Sequence, residues 1–250
     1  MIIHFCILAS VGGLFGHLYR DETAIRHAWY GTDIVTLSVV VPLLTVALIK
    51  AQKGSERALL VWTGGLGYTA YNYAFYLFGA QFNALFLVYV ALFSLSVYAL
   101  VLLLSAIDVK TIGQHFGNHA PLKGLALFLL LVALPLGVFE LAQVSAYLFT
   151  GKLPTVPPLI FALDLSIIVP TSALAAVLLW RRSAWGYVLG AIMLVKAATY
   201  GLALCLATAF VAGFRASGTW DPLLPFYLFV ALGGIGGCYA LLRHLTPQPA

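Results

Sequence analysis

The sequence has very few charged residues for its length. Of its 250 residues, 13 are Lys or Arg and 8 are Asp or Glu, so only 8% are charged. In a soluble domain about a quarter of the residues are charged. Hydrophobic residues make up 62% of the chain. So few charged side chains could not keep a protein of this composition soluble in water. These values exclude a soluble enzyme, a nucleic-acid-binding protein and a disordered chain, and they predict an integral membrane protein.

Cysteine and catalytic motifs are also scarce. The three cysteines, Cys6, Cys205 and Cys238, lie in apolar runs without CxxC spacing, so we expect neither a disulfide framework nor a metal site. The sequence contains no HExxH, no GxSxG and no phosphate-binding loop. We therefore expect no metal and no cofactor, and the missing motifs disfavour an enzyme.

Long apolar runs fill most of the chain. A helix needs about 20 mostly apolar residues to cross a bilayer, whereas a membrane β-barrel shows alternation over about ten. The runs predict an all-α polytopic bundle, a single transmembrane domain over 1–250. We predict eight spans, at 2–19, 33–50, 58–80, 83–107, 122–149, 159–180, 184–214 and 223–243. The run at 2–19 fits either a retained span or a cleaved signal.

Basic residues in the predicted loops set the orientation. Eight lie on the side of the N-terminus: Lys50, Lys53, Arg57, Lys110, Lys123, Arg181, Arg182 and Arg243. Four lie on the other side: Arg20, Arg26, Lys152 and Arg215. Because cytoplasmic loops carry an excess of Lys and Arg, both termini are predicted to be cytoplasmic. The inner or plasma membrane is the default location, and the expected partner is the lipid bilayer, not nucleic acid.

One hexapeptide pattern occurs twice. The segments LSVVVP at 37–42 and LSIIVP at 165–170 share four of six residues, and the other two are Val/Ile exchanges. Each follows an aspartate, Asp33 or Asp164. Because the copies fall in the second and sixth spans, they fit a parallel 4+4 duplication. The halves would be 1–107 and 122–245 with a linker at 108–121, and chance likeness of apolar helices is the alternative.

Three prolines lie inside predicted spans: Pro42, Pro135 and Pro170. Each lacks an amide hydrogen and removes one helical hydrogen bond, so we predict a bend at each. The carbonyl groups freed at a bend need partners, which places the bends in the protein interior or beside a wet cavity.

Ionisable residues also occur far inside the spans. Lys196 is roughly 18 Å from the start of its helix, near the bilayer centre, and Glu140 and Asp164 lie in spans five and six. A charge at mid-membrane costs about 2.5–3.5 kcal/mol unless it faces protein, water or an opposite charge. We therefore expect Lys196 to face inward and to meet a carboxylate, that of Glu140 first and that of Asp164 second.

Further polar side chains follow helical spacing around these groups. The predicted solute- or ion-binding residues are Lys196, Glu140, Asp164, Asn72, Asp33, Tyr71, Tyr76, Gln143 and Tyr200. Together they predict a polar cavity in the outer half of the bilayer, lined by spans two, three, five, six and seven. A purely structural polar cluster is the alternative interpretation.

The predicted cavity favours a transporter or permease for a small-molecule solute. A two-fold repeat, bent helices and buried carboxylates are typical of secondary transporters. Two other functions stay open. One is an intramembrane enzyme that uses an acid pair on a lipid or isoprenoid-like substrate, and the other is a non-catalytic sensor or accessory subunit. The sequence is compatible with a homo-oligomer and with a subunit of a membrane complex.

Overall fold

The chain is predominantly helical in the part that the structure describes. The computed structural model describes residues 1–117, 120–154, 156–214 and 221–246. Within them, the β-type pairing is limited to one isolated antiparallel bridge between Phe116 and Leu245. The helices are α1 (Ile2–Phe15), α2 (Thr23–Gln52), α3 (Glu56–Gly79), α4 (Phe86–Ala106), the short α5 (Val109–Gln114), α6 (Leu122–Thr150), α7 (Pro158–Trp180), α8 (Ala184–Phe214) and α9 (Leu224–Leu242). The predicted all-α class is confirmed.

Six helices of the described ranges are long and apolar enough to cross a membrane: α2, α4, α6, α7, α8 and α9. Helix α3 has 24 residues but carries several tyrosines, threonines and an asparagine. Helix α1 is apolar, but its 14 residues extend only about 21 Å at the helical rise, short of a hydrocarbon core of about 30 Å. The structure supports a multi-pass membrane protein, and the count of eight spans stays a prediction.

Two of the long helices contain a π-helical turn. In α2 the turn covers Thr36–Val40, and in α7 it covers Asp164–Ile168. The following valine N–H bonds the carbonyl five residues earlier in both helices. Because proline has no N–H to give, a wide turn directly before Val-Pro accommodates it. The two hexapeptide copies therefore share a local structure, while duplication of the halves stays a prediction.

The serines of the two copies also behave alike. The hydroxyl of Ser38 donates to the Ile34 carbonyl, and that of Ser166 donates to the Ala162 carbonyl. Bonds of this kind to the carbonyl four residues earlier often bend helices. Helix α6, by contrast, continues through Pro135 without a π turn. The bends predicted at the three prolines remain predictions.

Helix α8 forms the centre of the bundle. In its most apolar 18-residue window, 72% of the residues are buried, against 17–39% in the other five apolar helices. It packs against α9, the first half of α2, α3 and the second half of α7. A Cβ on Gly234 of α9 would lie 2.4 Å from the Ala198 nitrogen, so only glycine permits this approach.

Several connections meet at one end of the bundle, which we call the basic end. His115 Nδ1 lies 2.8 Å from Glu56 Oε2, and Arg57 Nε donates to the Leu245 carbonyl at 2.9 Å. Lys123 Nζ lies 5.7 Å from the centroid of the Trp180 ring. The ends of α2, α4, α7 and α9 therefore come together, as alternating spans require. The assignment of this end to the cytoplasm stays a prediction; Arg215 and linker residues 118 and 119 lie outside the described residues.

The opposite end, which we call the cavity end, contains the starts of α2 and α7 and the ends of α3 and α8. Asp21 Oδ1 accepts a hydrogen bond from the Gln81 N–H at 2.9 Å, which ties the α1–α2 connection to the α3–α4 connection. The side chain of Asn83 accepts from the Leu85 N–H at 2.9 Å and closes the turn before α4. These bonds fix the α1–α2 and α3–α4 connections beside the candidate site.

Candidate functional site

A buried aspartate lies just before the π turn of α2. The side chain of Asp33 is 1% exposed. Its Oδ2 accepts a hydrogen bond from the Tyr19 hydroxyl, and its Oδ1 accepts one from the Tyr76 hydroxyl at 3.1 Å. A Cβ on Gly13 would lie 2.6 Å from Oδ2, so the backbone of α1 passes directly over the carboxylate. We call Asp33, Tyr19 and Tyr76 the Asp33 cluster.

A second acid group lies at the π turn of α7. Asp164 opens that turn and accepts a hydrogen bond from the Tyr71 hydroxyl of α3. Glu140 of α6 is 2% exposed and interacts electrostatically with Asp164. Its Oε2 has no hydrogen-bond partner among the described residues. Two carboxylates repel each other in a low-dielectric interior, so a proton or a cation must offset their charge.

Lys196 of α8 provides an amine at this second group. Its Nζ lies 3.8 Å from the centroid of the Tyr71 ring and 4.7 Å from that of Tyr200, within cation–π range. Asp164 acts on it electrostatically, but no carboxylate oxygen of the described residues lies within 4.0 Å. The amine faces inward, and two aromatic rings stand in place of the expected direct ion pair. The Asp164 cluster is Tyr71, Glu140, Asp164, Lys196 and Tyr200.

A cavity of about 430 Å³ lies at the cavity end, between α2, α3, α7 and α8. Apolar side chains such as Phe75, Leu204 and Val211 form most of its wall. Its polar lining residues are Trp29, Thr32, Asn72, Tyr200, Thr208 and Asp221. No Lys, Arg or His lines it in the part of the chain that the structure describes.

This cavity differs from the one that the sequence predicts. Helix α6, the predicted fifth span, contributes none of the described lining residues, and Glu140, Asp164 and Lys196 do not reach the cavity either. Tyr200 is the one residue that both lines the described wall and holds its ring within cation–π range of Lys196, 4.7 Å from Nζ to the ring centroid. Gln143 of α6 is half-buried and joins neither cluster by a hydrogen bond within the described residues.

An aromatic residue of the cavity wall packs against a tyrosine of each acid cluster. Trp29 lines the cavity, and its ring centroid lies 4.4 Å from that of Tyr76, which bonds Asp33. Tyr200 also lines the cavity, and its ring centroid lies 4.8 Å from that of Tyr71, which bonds Asp164. A molecule against Trp29 and Tyr200 would therefore touch a neighbour of the Asp33 cluster and a member of the Asp164 cluster.

Sequence reasoning missed Tyr19 and Trp29. Tyr19 lies beyond the end of α1, and its spacing from Asp33 gives no helical relation that could pair them. Trp29 precedes Asp33 by four residues, which places both on one helical face once α2 begins at Thr23. The span was predicted to start at residue 33, because Arg26 and His27 interrupt the apolar run. Trp29 therefore fell outside the predicted helix.

No family model, curated protein or solved structure matches this chain. What the site can bind therefore follows from its own geometry and charge. Trp29 and Tyr200 both line the cavity and both pack against a tyrosine that bonds a buried aspartate, and these contacts are the basis for the function considered next.

Proposed function

We propose that the protein is a transporter or permease that binds a small solute in the cavity at the cavity end. The observation that carries the proposal is that two residues of one cavity wall, Trp29 and Tyr200, pack against the tyrosines that bond the two buried aspartates. Secondary transporters place solute and coupling-ion sites beside interrupted helices. The π turns of α2 and α7 lie beside the two acids and supply that feature here.

Tyr200 provides the proposed link between solute and charge. Its ring centroid lies 4.7 Å from Lys196 Nζ, and Tyr200 is also one of the residues that line the cavity. A solute that displaces the ring removes a cation–π contact and exposes the amine to the cavity. The charge balance of Lys196, Asp164 and Glu140 then differs between the empty and the loaded protein. A solute shifts a conformational equilibrium only by such a difference in interaction.

The enzyme alternative is less well supported by this geometry. A general acid must come within hydrogen-bond reach of its substrate, but Glu140 and Asp164 do not line the described part of the cavity wall. A sensor or accessory subunit would also bind a ligand in such a cavity. It differs from a transporter in moving nothing across the membrane.

Uptake into vesicles tests the proposal. The purified protein is reconstituted into liposomes and incubated with a panel of small neutral and cationic solutes, and the lumen is analysed by mass spectrometry. We expect saturable uptake of at least one solute. In Glu140→Gln and in Tyr200→Ala this uptake should fall at least about tenfold, the factor that 1.4 kcal/mol of lost interaction gives. Gln143→Leu is the matched control on α6 and should retain uptake.

Two outcomes would contradict transport. Binding of solutes without uptake of any of them would favour a sensor or accessory subunit. Chemical conversion of an added lipid or isoprenoid by the purified protein, lost in Glu140→Gln, would favour the enzyme.

A further inference from the structure

Two buried carboxyl groups meet at the π turn of α7. Glu140 is 2% exposed and Asp164 is 7% exposed, and their side chains lie within hydrogen-bonding reach of each other. Gly137 precedes Glu140 by three residues on α6, and a Cβ on it would lie 3.1 Å from Cγ1 of Val169, the residue that follows the π turn. Helix α6 therefore passes close to this turn and holds the two carboxyl groups side by side.

A hydrogen bond between two carboxyl groups requires a proton, because an ionised carboxylate only accepts. The Tyr71 hydroxyl donates to Asp164 Oδ1. Glu140 Oε2 is closed to solvent and has no donor among the described residues. A proton on one carboxyl group supplies the missing donor and also removes the repulsion between two adjacent negative charges. A single proton therefore satisfies the pair.

Lys196 completes the charge balance of the cluster. Its Nζ lies 3.8 Å from the ring centroid of Tyr71 and 4.7 Å from that of Tyr200. The face of an aromatic ring attracts a cation, so this position fits a charged ammonium. One ammonium and a carboxyl pair that carries one proton have a net charge of zero, which a low-dielectric interior favours.

The other titratable groups at the cluster add no charge to this balance. They are phenols, Tyr68 and Tyr71 on α3, Tyr200 on α8 and Tyr227 on α9, and phenols are uncharged near neutral pH. Asp33 of α2 acts on Tyr68 and belongs to the other cluster. The charge of the Asp164 cluster therefore changes when the carboxyl pair gains or loses its proton.

We propose that Glu140 and Asp164 hold one proton between them and that this proton is the coupling ion of the transport. The proton belongs to the pair and not to either residue. On release the O–H bond breaks, its electrons stay on the carboxylate, the proton passes to water, and the net charge of the cluster falls from zero to minus one. The ammonium of Lys196, which interacts with Asp164, repels a metal cation from the same place.

This inference deepens the proposed transport function, because it names the coupling ion, and its coupling part rests on that function. The shared proton itself does not depend on transport. It is measured on the purified protein, so the two proposals can fail separately.

Infrared spectroscopy tests the shared proton. A protonated carboxyl group has a C=O stretching band that a carboxylate lacks. Spectra of the full-length protein are recorded near neutral pH in dodecyl maltoside, a detergent without carbonyl groups. We expect the difference spectra of wild type minus Glu140→Gln and of wild type minus Asp164→Asn each to show this band. Glu22→Gln, which changes an exposed glutamate, is the matched control and should retain the band.

A second pair of samples separates a proton from a metal cation. Sodium chloride replaces choline chloride at constant pH and ionic strength. We expect the carboxyl band of the wild-type protein to be unchanged, because sodium does not displace the proton. If Glu140→Gln does not fold, Asp164→Asn and this comparison on the wild-type protein decide the question.

Vesicles loaded with the pH dye pyranine test the coupling. The solute panel of the uptake assay is added outside, and the dye reports the pH of the lumen. We expect each solute that enters to acidify the lumen in the wild-type protein and in Glu22→Gln. This acidification should be lost in Glu140→Gln.

Absence of the carboxyl band from both difference spectra would overturn the shared proton. Loss of the band in sodium chloride would assign the site to a metal cation and overturn it as well. If solutes enter without acidifying the lumen, transport stands and the proton is not the coupling ion. If the band is found but no solute enters, the shared proton stands, and the coupling role fails together with the transport function.

Discussion

Helices α2 and α7 share a π turn before a proline but place different chemistry there. The residue that opens the turn is Thr36 in α2 and Asp164 in α7. The Thr36 hydroxyl lies 2.9 Å from the Tyr68 hydroxyl, while Asp164 accepts a hydrogen bond from Tyr71, one turn along the same helix α3. The same break in a helix therefore carries a neutral hydroxyl in one region and a carboxylate in the other.

The two buried aspartates also differ in their surroundings, which are neutral hydroxyls for Asp33 and include charged groups for Asp164. Both oxygens of Asp33 are held by phenol hydroxyls, those of Tyr19 and Tyr76. Asp164 instead interacts with a second carboxyl group, that of Glu140, and with the amine of Lys196. A fully hydrogen-bonded carboxylate stabilises one arrangement, whereas a group of interacting charges responds when one of them changes. We therefore expect Asp33 to support the fold and Asp164 to support transport.

The largest effect on stability is expected at Gly13, because the backbone of α1 packs directly on Asp33 at this residue. Within the described residues, Asp164 has no such cover from α1. In Gly13→Ala the new Cβ would lie 2.3 Å from the Tyr19 hydroxyl and 2.6 Å from Asp33 Oδ2. Relieving the clash breaks the hydrogen bond between them, so we expect a loss of about 2–5 kcal/mol in the free energy of unfolding. Thermal unfolding in detergent measures it. Gly236→Ala in α9, where a Cβ meets open space, should unfold like the wild type, and equal behaviour of the two variants would contradict the packing of α1.

A large effect on uptake is expected at Lys196, which interacts with Asp164. Lys196→Met removes the amine at similar length, and we expect vesicle uptake to fall at least about tenfold, which corresponds to 1.4 kcal/mol. Lys123→Met is the matched control, since it also removes a lysine that lies over a ring, that of Trp180, but at the basic end. Unchanged uptake in Lys196→Met would remove the functional distinction between the two clusters.

A small effect is expected at Thr36, the counterpart of Asp164. Thr36→Val keeps the shape but removes the hydroxyl that donates to the Thr32 carbonyl and pairs with the buried Tyr68 hydroxyl, so the free energy of unfolding should fall by about 1–3 kcal/mol. Uptake per folded molecule should not change. Loss of uptake in this variant would show that the π turn of α2 also takes part in transport.

The sequence predicts the class of fold because the bilayer demands long apolar helices. It misplaced the start of α2, at residue 33 instead of Thr23, since the first turns carry Arg26 and His27. Those turns also form a cavity wall, where polar residues are tolerated. Helix α3 shows the same relation, because two of the tyrosines that lower its hydropathy, Tyr71 and Tyr76, bond the two buried aspartates.

The sequence also predicts most members of the two clusters but not their arrangement. Spacing along a helix places Lys196 and Tyr200 on one face, and the cost of a buried charge turns that face inward. Which helix meets that face depends on helix rotation and crossing, which packing determines. For this reason the absence of Glu140 and Lys196 from the described cavity wall was not predicted, nor was the contribution of Tyr19 from a connecting segment.

The most direct test compares Asp33→Asn with Asp164→Asn, with thermal unfolding and vesicle uptake measured on both. We predict that Asp33→Asn lowers the free energy of unfolding by about 1–3 kcal/mol and keeps uptake per folded molecule. Asp164→Asn should lose most of its uptake while unfolding near the wild-type temperature. Equal loss of uptake in both variants, or loss confined to Asp33→Asn, would contradict the division of roles between the two aspartates.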